Sequence, residues 1–269
     1  VSQPHDSLPQ HVHGDPRADV GVFGGSGFYD FLDDVDEVVL ATPYGEASAP
    51  VTIGTLAGRR VAFLPRHGRR HEYPAHVIPY RANLWAMHLL GVRALLGPCA
   101  AGSLQDHVKP GDFVVCDQLV DRTWGRPSTY FDGPDTYHLS FADPYDAGLR
   151  SAVVEAARSL GITVHDRGTM VVIQGPRFST RAESASYRRE GWEVINMTGC
   201  PEAALAAELG IPYATVALIT DKDAGEEPGE DGGGVDAVHQ DEVFAQLAAN
   251  AARVRDLLAE VVPLLPLRR

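Results

Sequence analysis

Short apolar runs alternate along the chain with longer amphipathic stretches. The segment DVGVFGGSG, residues 19–27, reads as a short strand that runs into a glycine turn. Further strands are predicted at Val51–Thr55, Arg60–Pro65, Ala94–Pro98, Asp112–Leu119, Gly168–Gln174, Glu193–Asn196 and Tyr213–Thr220. Between them, Val77–Leu90 and Ala147–Leu160 place apolar residues at helical spacing, and Gly161 supplies a stop for the second. Thr180–Glu190 and Pro201–Leu209 are shorter helices; Pro201 suits a first turn and Gly210 ends the segment. A long amphipathic helix is predicted over Asp241–Leu264. This alternation predicts an α/β fold built on a mixed or mostly parallel sheet.

No internal repeat or interdomain linker interrupts the pattern, so residues 19–269 read as one domain. Residues 1–18 are polar and proline-rich, without the apolar core of a secretory signal, and read as a flexible tail. The other low-complexity stretch, AGEEPGEDGGGV at 224–235, cannot pack a core and reads as a surface loop. No apolar run reaches the length of a membrane helix. The net charge of −13 argues against broad nucleic-acid binding, yet leaves room for one small basic pocket. The three cysteines, Cys99, Cys116 and Cys200, form no CxxC pair. A disulfide framework or structural zinc site is therefore not expected, and a reducing, cytoplasmic setting is.

In α/β sheets ligands bind beyond the carboxyl ends of the strands, so the residues that follow the predicted strands carry the candidate chemistry. GGSG, with Ser26, offers backbone N–H groups and a hydroxyl to an anion, and equally makes a tight turn. Arg66 and His67, in PRHG, supply a guanidinium fork and a second donor for a phosphate dianion; a solvated charged loop is the even alternative. Cys99-Ala100 sits where a small side chain permits close backbone approach, and no partner motif marks Cys99 as a nucleophile. GPRFSTRAES brings Phe178, able to stack on a flat base, and Ser179. Asn196-Met197-Thr198 suits a sugar and an anion, or satisfies local backbone. Asp221 and Asp223 in TDKD make an acid pair; with no histidine close by, a metal site is discounted.

Taken together and in order, GGSG, PRHG, QGPRFSTRAES, INMTGCPEA and ITDKD closely resemble the motifs of the 5′-methylthioadenosine phosphorylase branch of the trimeric purine nucleoside phosphorylase family. The resemblance runs from Val20 to about Leu258. It implies a single α/β domain with a central mixed β-sheet, partly closed into a barrel and flanked by helices. It also implies a homotrimer with active sites near the subunit interfaces, and inorganic phosphate as co-substrate with no metal or organic cofactor. The family's phosphate site falls on Ser26, Arg66, His67, Cys99, Ala100 and Thr198. Cys99 stands where a hydroxyl residue is usual, and a thiol is the weaker donor. Met197 matches the ribose position, Phe178 the base-stacking position, and Ser179, Asp221 and Asp223 the base-recognition positions. At the 5′ end of the substrate, Val243 keeps an apolar contact, whereas Gln240 replaces a usually apolar residue. His138 matches a residue contributed by the adjoining subunit.

The implied reaction is phosphorolysis of 5′-methylthioadenosine, or a related 5′-substituted adenosine, with Asp221 and His67 as the catalytic groups. Breaking the N-glycosidic bond leaves an oxocarbenium-like ribose and an electron-rich purine, and a site must stabilise both. Phosphate serves as nucleophile and counter-charge, and Asp221 with a raised pKa stabilises the departing base. Two carboxylates favour a 6-aminopurine, whose N6 donates. The rivals are adenosine or broader purine nucleoside phosphorolysis, nucleoside hydrolysis with water as acceptor, a dinucleotide-dependent oxidoreductase using GGSG, and a silent nucleoside-binding protein. The expected partners are a nucleoside and phosphate, with neither nucleic acid nor membrane.

Overall fold

The computed structural model describes residues 17–24, 33–225 and 238–267. The expected tail, apart from Arg17 and Ala18, lies outside them, as do Ser26 and most of the 224–235 loop. Ala18 is buried, and its N–H donates to the Leu90 carbonyl.

The chain opens with β1 (Val20–Gly24), β2 (Asp33–Val38), a hairpin of β3 (Ala41–Thr42) and β4 (Gly45–Glu46), then β5 (Val51–Leu56) and β6 (Arg59–Pro65). Helix α1 (Tyr80–Leu89) leads into β7 (Ala94–Ser103), β8 (Phe113–Val115) and β9 (Gln118–Arg122). Next come α2 (Ala147–Ser159), β10 (Val164–His165), β11 (Thr169–Ile173), α3 (Arg181–Arg189) and β12 (Val194–Asn196). Helix α4 (Gly199–Glu208), β13 (Tyr213–Asp221) and α5 (Gln240–Val261) complete the order.

The sheet is mixed, in the order β10-β8-β13-β7-β1-β6-β5-β2, with β1, β6, β7 and β13 parallel. β7 also pairs antiparallel with β12, which carries β11 and then β9. Pairings thus run from β8 through β13, β7, β12 and β11 to β9, the strand that follows β8 in the chain. Among the described residues no ladder joins β8 to β9, so the expected barrel is not closed by hydrogen bonds there.

Three sequence expectations change. The predicted strand at 112–119 is two strands, separated at Cys116-Asp117, which lets it serve two parts of the sheet. The predicted helix over 77–90 begins only at Tyr80, because Pro79 occupies its N-cap and a 3₁₀ turn covers Ala75–Val77. β7 runs past Pro98 to Ser103, so Cys99 and Ala100 lie within a strand rather than after one. The acidic strand β2 was not predicted, since its sequence DDVDEV has no apolar face.

Two apolar layers sandwich the sheet. One contains Phe23, Leu64, Leu84, Met87 and Leu95 with α1 and α4, and the other Phe63, Phe113, Leu149, Val153 and Leu257 with α2 and α5. The strands between them are covered on both faces, which explains continuous apolar runs such as ALLG in β7 rather than alternation. No helix among the described residues is long and apolar enough to cross a membrane.

Candidate active site

The carboxyl ends of β6, β7, β11, β12 and β13 converge on a cavity of about 1010 Å³, roofed by the N-terminal half of α5. Its lining brings together Arg66, His67, Cys99, Ala100, Phe178, Met197, Thr198, Asp221, Asp223, Gln240 and Val243. Ser179 stands behind Asp223. His138 is exposed and does not line the cavity of its own chain.

Arg66 directly follows β6 and is only 3 % exposed. Its Nε and Nη2 donate to Glu202 Oε2 and Oε1 at 2.9 and 2.8 Å, and its Nη1 donates to the Pro98 carbonyl at 2.8 Å. A guanidinium has five N–H donors, so two remain for a ligand in the cavity. Glu202, 1 % exposed on α4, also accepts from Tyr213 Oη at 2.6 Å. Burial works against the Arg66 charge, but the charge and hydrogen bonds of Glu202 outweigh it, and the pKa is raised. The Tyr213 ring reaches Glu202 because Gly97 leaves room: a Cβ there would lie 2.2 Å from the hydroxyl.

His67 alters one expectation. Its Nδ1 lies 2.9 Å from the Tyr73 carbonyl, so that nitrogen carries the proton and donates. Burial pushes its pKa down to about 4, with His71 and Arg66 adding to the fall against the Tyr73 bond. The ring is therefore neutral at pH 7, and Nε2 is an acceptor. It fits a protonated phosphate oxygen rather than acting as the second donor expected from sequence. His71 stacks on His67 at 4.2 Å between ring centroids, and Phe244 of α5 meets His71 edge-on at 5.3 Å.

β7 and the start of α4 complete the Arg66 side of the cavity. Asn196 Oδ1 accepts from the backbone N–H groups of Thr198 and Gly199 at 2.6 and 2.8 Å, while its amide donates to the Ala100 carbonyl at 2.9 Å. This one side chain fixes Ala100 and Thr198 relative to each other, and its Oδ1 also accepts from Thr198 Oγ1 at 3.2 Å. Cys99 Sγ lies 3.7 Å from Thr215 Oγ1. Burial raises its pKa to about 11, which leaves it a thiol and not a nucleophile.

On the base side, GPRFSTRAES divides its work. Thr180 caps α3, accepting from Glu183 N, and Glu183 accepts from Thr180 N in return. Arg177 clamps Glu183 with two bonds of 2.8 Å, so these polar residues build the turn. Phe178 then projects into the cavity. Gly175 has φ +64°, and a Cβ there would meet Met197 Sδ at 2.7 Å; glycine lets the two strand ends approach.

Asp221 accepts from Thr220 Oγ1 and from Asp223 N, both at 2.7 Å. Burial raises its pKa despite these two bonds. Asp223 is 4 % exposed, and burial raises its pKa as well, while the nearby Ser184 and Ser179 hydroxyls draw it back. Neither hydroxyl reaches hydrogen-bond geometry, so Asp223 Oδ2, Ser179 Oγ and Ser184 Oγ are buried without partners. A buried carboxylate oxygen with no donor is costly, and a ligand donor would relieve it. Among the described residues no cluster of His, Cys, Asp and Glu is arranged to hold a metal ion.

Fold and cavity together define an α/β protein with a buried arginine and two buried carboxylates lining one cavity beyond the carboxyl ends of its strands. The phosphorylase superfamily model matches residues 19–263, and the chain belongs to that family. It is 52 % identical over 258 residues to a purine nucleoside phosphorylase of Streptomyces coelicolor, covering 93 % of this chain and 90 % of that one. It is also 52 % identical over 251 residues to an S-methyl-5′-thioadenosine phosphorylase of Mycolicibacterium smegmatis, covering 93 % and 92 %. A crystal structure of a methylthioadenosine phosphorylase from an Antarctic soil metagenomic library superposes with a TM-score of 0.86 at 40 % identity, over 93 % of this chain and 86 % of that one. A mutant of the Schistosoma mansoni adenosine/methylthioadenosine phosphorylase, in complex with methylthioadenosine, gives 0.83 at 35 % identity, over 92 % and 91 %.

Proposed function

We propose that the chain catalyses phosphorolysis of 5′-methylthioadenosine, or of a closely related 5′-substituted adenosine, to adenine and the 5-substituted ribose 1-phosphate. One juxtaposition carries the reading: Arg66, with two N–H donors to spare, shares a cavity with two buried carboxylates of raised pKa, and one oxygen of the second, Asp223 Oδ2, has no donor in hydrogen-bond geometry. Relatives named for this reaction support it.

In this reading phosphate is held by Arg66, His67, Cys99, Ala100 and Thr198, joined by Ser26. His67 Nε2 accepts a hydrogen bond from a protonated phosphate oxygen. A phosphate oxygen attacks the ribose anomeric carbon as the bond to the purine N9 breaks, and the bonding pair stays with the base. A proton passed from Asp221 to N7 lets adenine leave neutral, and the burial that raises the Asp221 pKa favours its carrying that proton. Asp223 Oδ2 accepts from the N6 amino group, Phe178 stacks on the base and Met197 faces the ribose. No metal or organic cofactor takes part. Val243 and Gln240 face the 5′ substituent. We also propose a homotrimer in which His138 of one subunit enters the 5′ pocket of the next; its exposure beside the half-exposed Tyr137 supports this. The three unpaired cysteines fit a cytoplasmic setting.

Adenosine as substrate is the second reading, favoured by Gln240 in the cavity and by the purine nucleoside phosphorylase relative. Release of the free base, adenine from methylthioadenosine and adenosine and hypoxanthine from inosine, each with and without phosphate, tests both. Release that does not depend on phosphate would overturn phosphorolysis. A higher kcat/KM for adenosine would select the second reading.

A further inference from the structure

Arg126 lies in the loop after β9 and is 8 % exposed. Among the described residues no carboxylate pairs with it, although a buried guanidinium is costly without a counter-charge. Its charge is met by dipoles. Nη1 donates to the carbonyls of Met197 and Cys200 at 2.8 and 2.6 Å and lies 3.2 Å from Tyr80 Oη. Nη2 donates to the carbonyls of Gln174 and Ile173 at 2.7 and 3.3 Å, and Nε donates to Gln174 Oε1 at 3.3 Å. Every donor of the guanidinium is used, so none is left for a substrate.

Apart from Tyr80 Oη of α1, the acceptors belong to two chain segments. The ladder between β11 and β12 ends at Val172↔Asn196. Beyond that pair one segment carries Gln174 toward Phe178, and the other carries Met197 toward Thr198 and Cys200. Arg126 continues the link where the ladder stops, with one face of its fork on each segment. Thr198 N is held separately, by Asn196.

We infer that Arg126 is a positioning residue: its guanidinium sets the spacing between Phe178, under the base, and Met197, beside the ribose, while on the oxyanion half Thr198 N is held by Asn196 and Arg66 by Glu202. The inference rests on the proposed nucleoside reading. It requires a rigid planar fork, so lysine, with three donors on one atom, cannot replace it.

The test is Arg126→Lys in the full chain, assayed by adenine release with methylthioadenosine and phosphate varied in turn. The expected result is a nucleoside KM raised at least tenfold, with the phosphate KM within threefold of wild type. A merely structural loss would reduce the active fraction, lowering kcat and leaving both KM values unchanged. That outcome, or equal rises in both KM values, would overturn the inference. Should Arg126→Lys fail to fold, Gln174→Leu removes the oxygen that accepts from Arg126 Nε and from Trp124 N while leaving the four guanidinium bonds to backbone carbonyls; it should raise the nucleoside KM about threefold and leave phosphate alone, and no such split would equally overturn it. Wild-type release without phosphate checks the underlying reading separately, since the nucleoside KM is measured whichever acceptor is used.

Discussion

Replacing Glu202 by glutamine tests the logic of the oxyanion half of the site. The change keeps the size of the side chain, removes its charge and turns an acceptor into an amide donor that faces a guanidinium N–H. Arg66 and Glu202 are 3 % and 1 % exposed, and three short bonds end on the carboxylate. Hydrogen bonds to charged groups are worth about 1.5–3 kcal/mol each. Removing one partner of a buried pair costs about 3–5 kcal/mol, because the other charge stays buried and unmatched. Glutamine retains one acceptor, so the lower figure applies, about 3 kcal/mol out of a native stability of ~5–15 kcal/mol. With an m-value of about 3 kcal/mol/M, the urea midpoint should fall by about 1 M. A second readout is specific to the anion site. In the variant, bound phosphate becomes the counter-charge of Arg66, so saturating phosphate should raise the midpoint more than it does in wild type. Unfolding in urea at pH 7, at one protein concentration with and without phosphate, measures both. A loss below about 1 kcal/mol, or the same phosphate shift in both proteins, would refute the argument.

Asp221→Asn replaces an acceptor by an amide that can donate to a 6-oxo group; inosine should gain on methylthioadenosine in kcat/KM, and unchanged selectivity would count against the base-side assignment. The lowered pKa of His67, about 4 against 6.5, means that the unfolded chain binds its proton more tightly than the native one. Stability should therefore rise with pH from 4 to 6.5, by about 3 kcal/mol from this ring, and be fully present above 6.5. His67→Gln should flatten that slope in urea midpoints taken across the window, and an unaltered slope would exclude His67 as its source. Cys99→Thr restores a hydroxyl donor beside the anion and should lower the phosphate KM by about three- to tenfold, in line with one neutral hydrogen bond of roughly 1 kcal/mol.

The elements that place the site were legible because buried strands in α/β sheets announce themselves as apolar runs, and because their ends are where unusual residues stand out. β1, β6, β11, β12 and β13 were found this way, with Arg66, Met197 and Asp221 beside their ends. The acting side chains were visible as motifs; the side chains that hold them were not. Glu202 lies 136 residues from Arg66, and nothing local to PRHG calls for it. The signal available was an acid on a short helix, PEAALAAEL, whose other positions are mostly small or apolar. Arg126 gave less, since an arginine before a proline in a polar loop has no pattern that marks burial. The tautomer of His67 was beyond reach as well, because it depends on a carbonyl six residues away that only the folded loop brings near.

On the proposed function, these holding contacts also explain how an acidic chain keeps an anion site. Arg66 is neutralised by Glu202, His67 is neutral and Arg126 is spent on carbonyls, so none of the three offers a full positive charge to the cavity. What they offer is aimed dipoles: two remaining guanidinium N–H groups on Arg66 and a ring nitrogen of His67 that accepts. Such a site selects by geometry and by the proton carried on the anion, and holds it less tightly than a bare cation would. That suits a group that must leave the site bonded to the sugar, since binding spent equally on reactant and product does not lower the barrier between them.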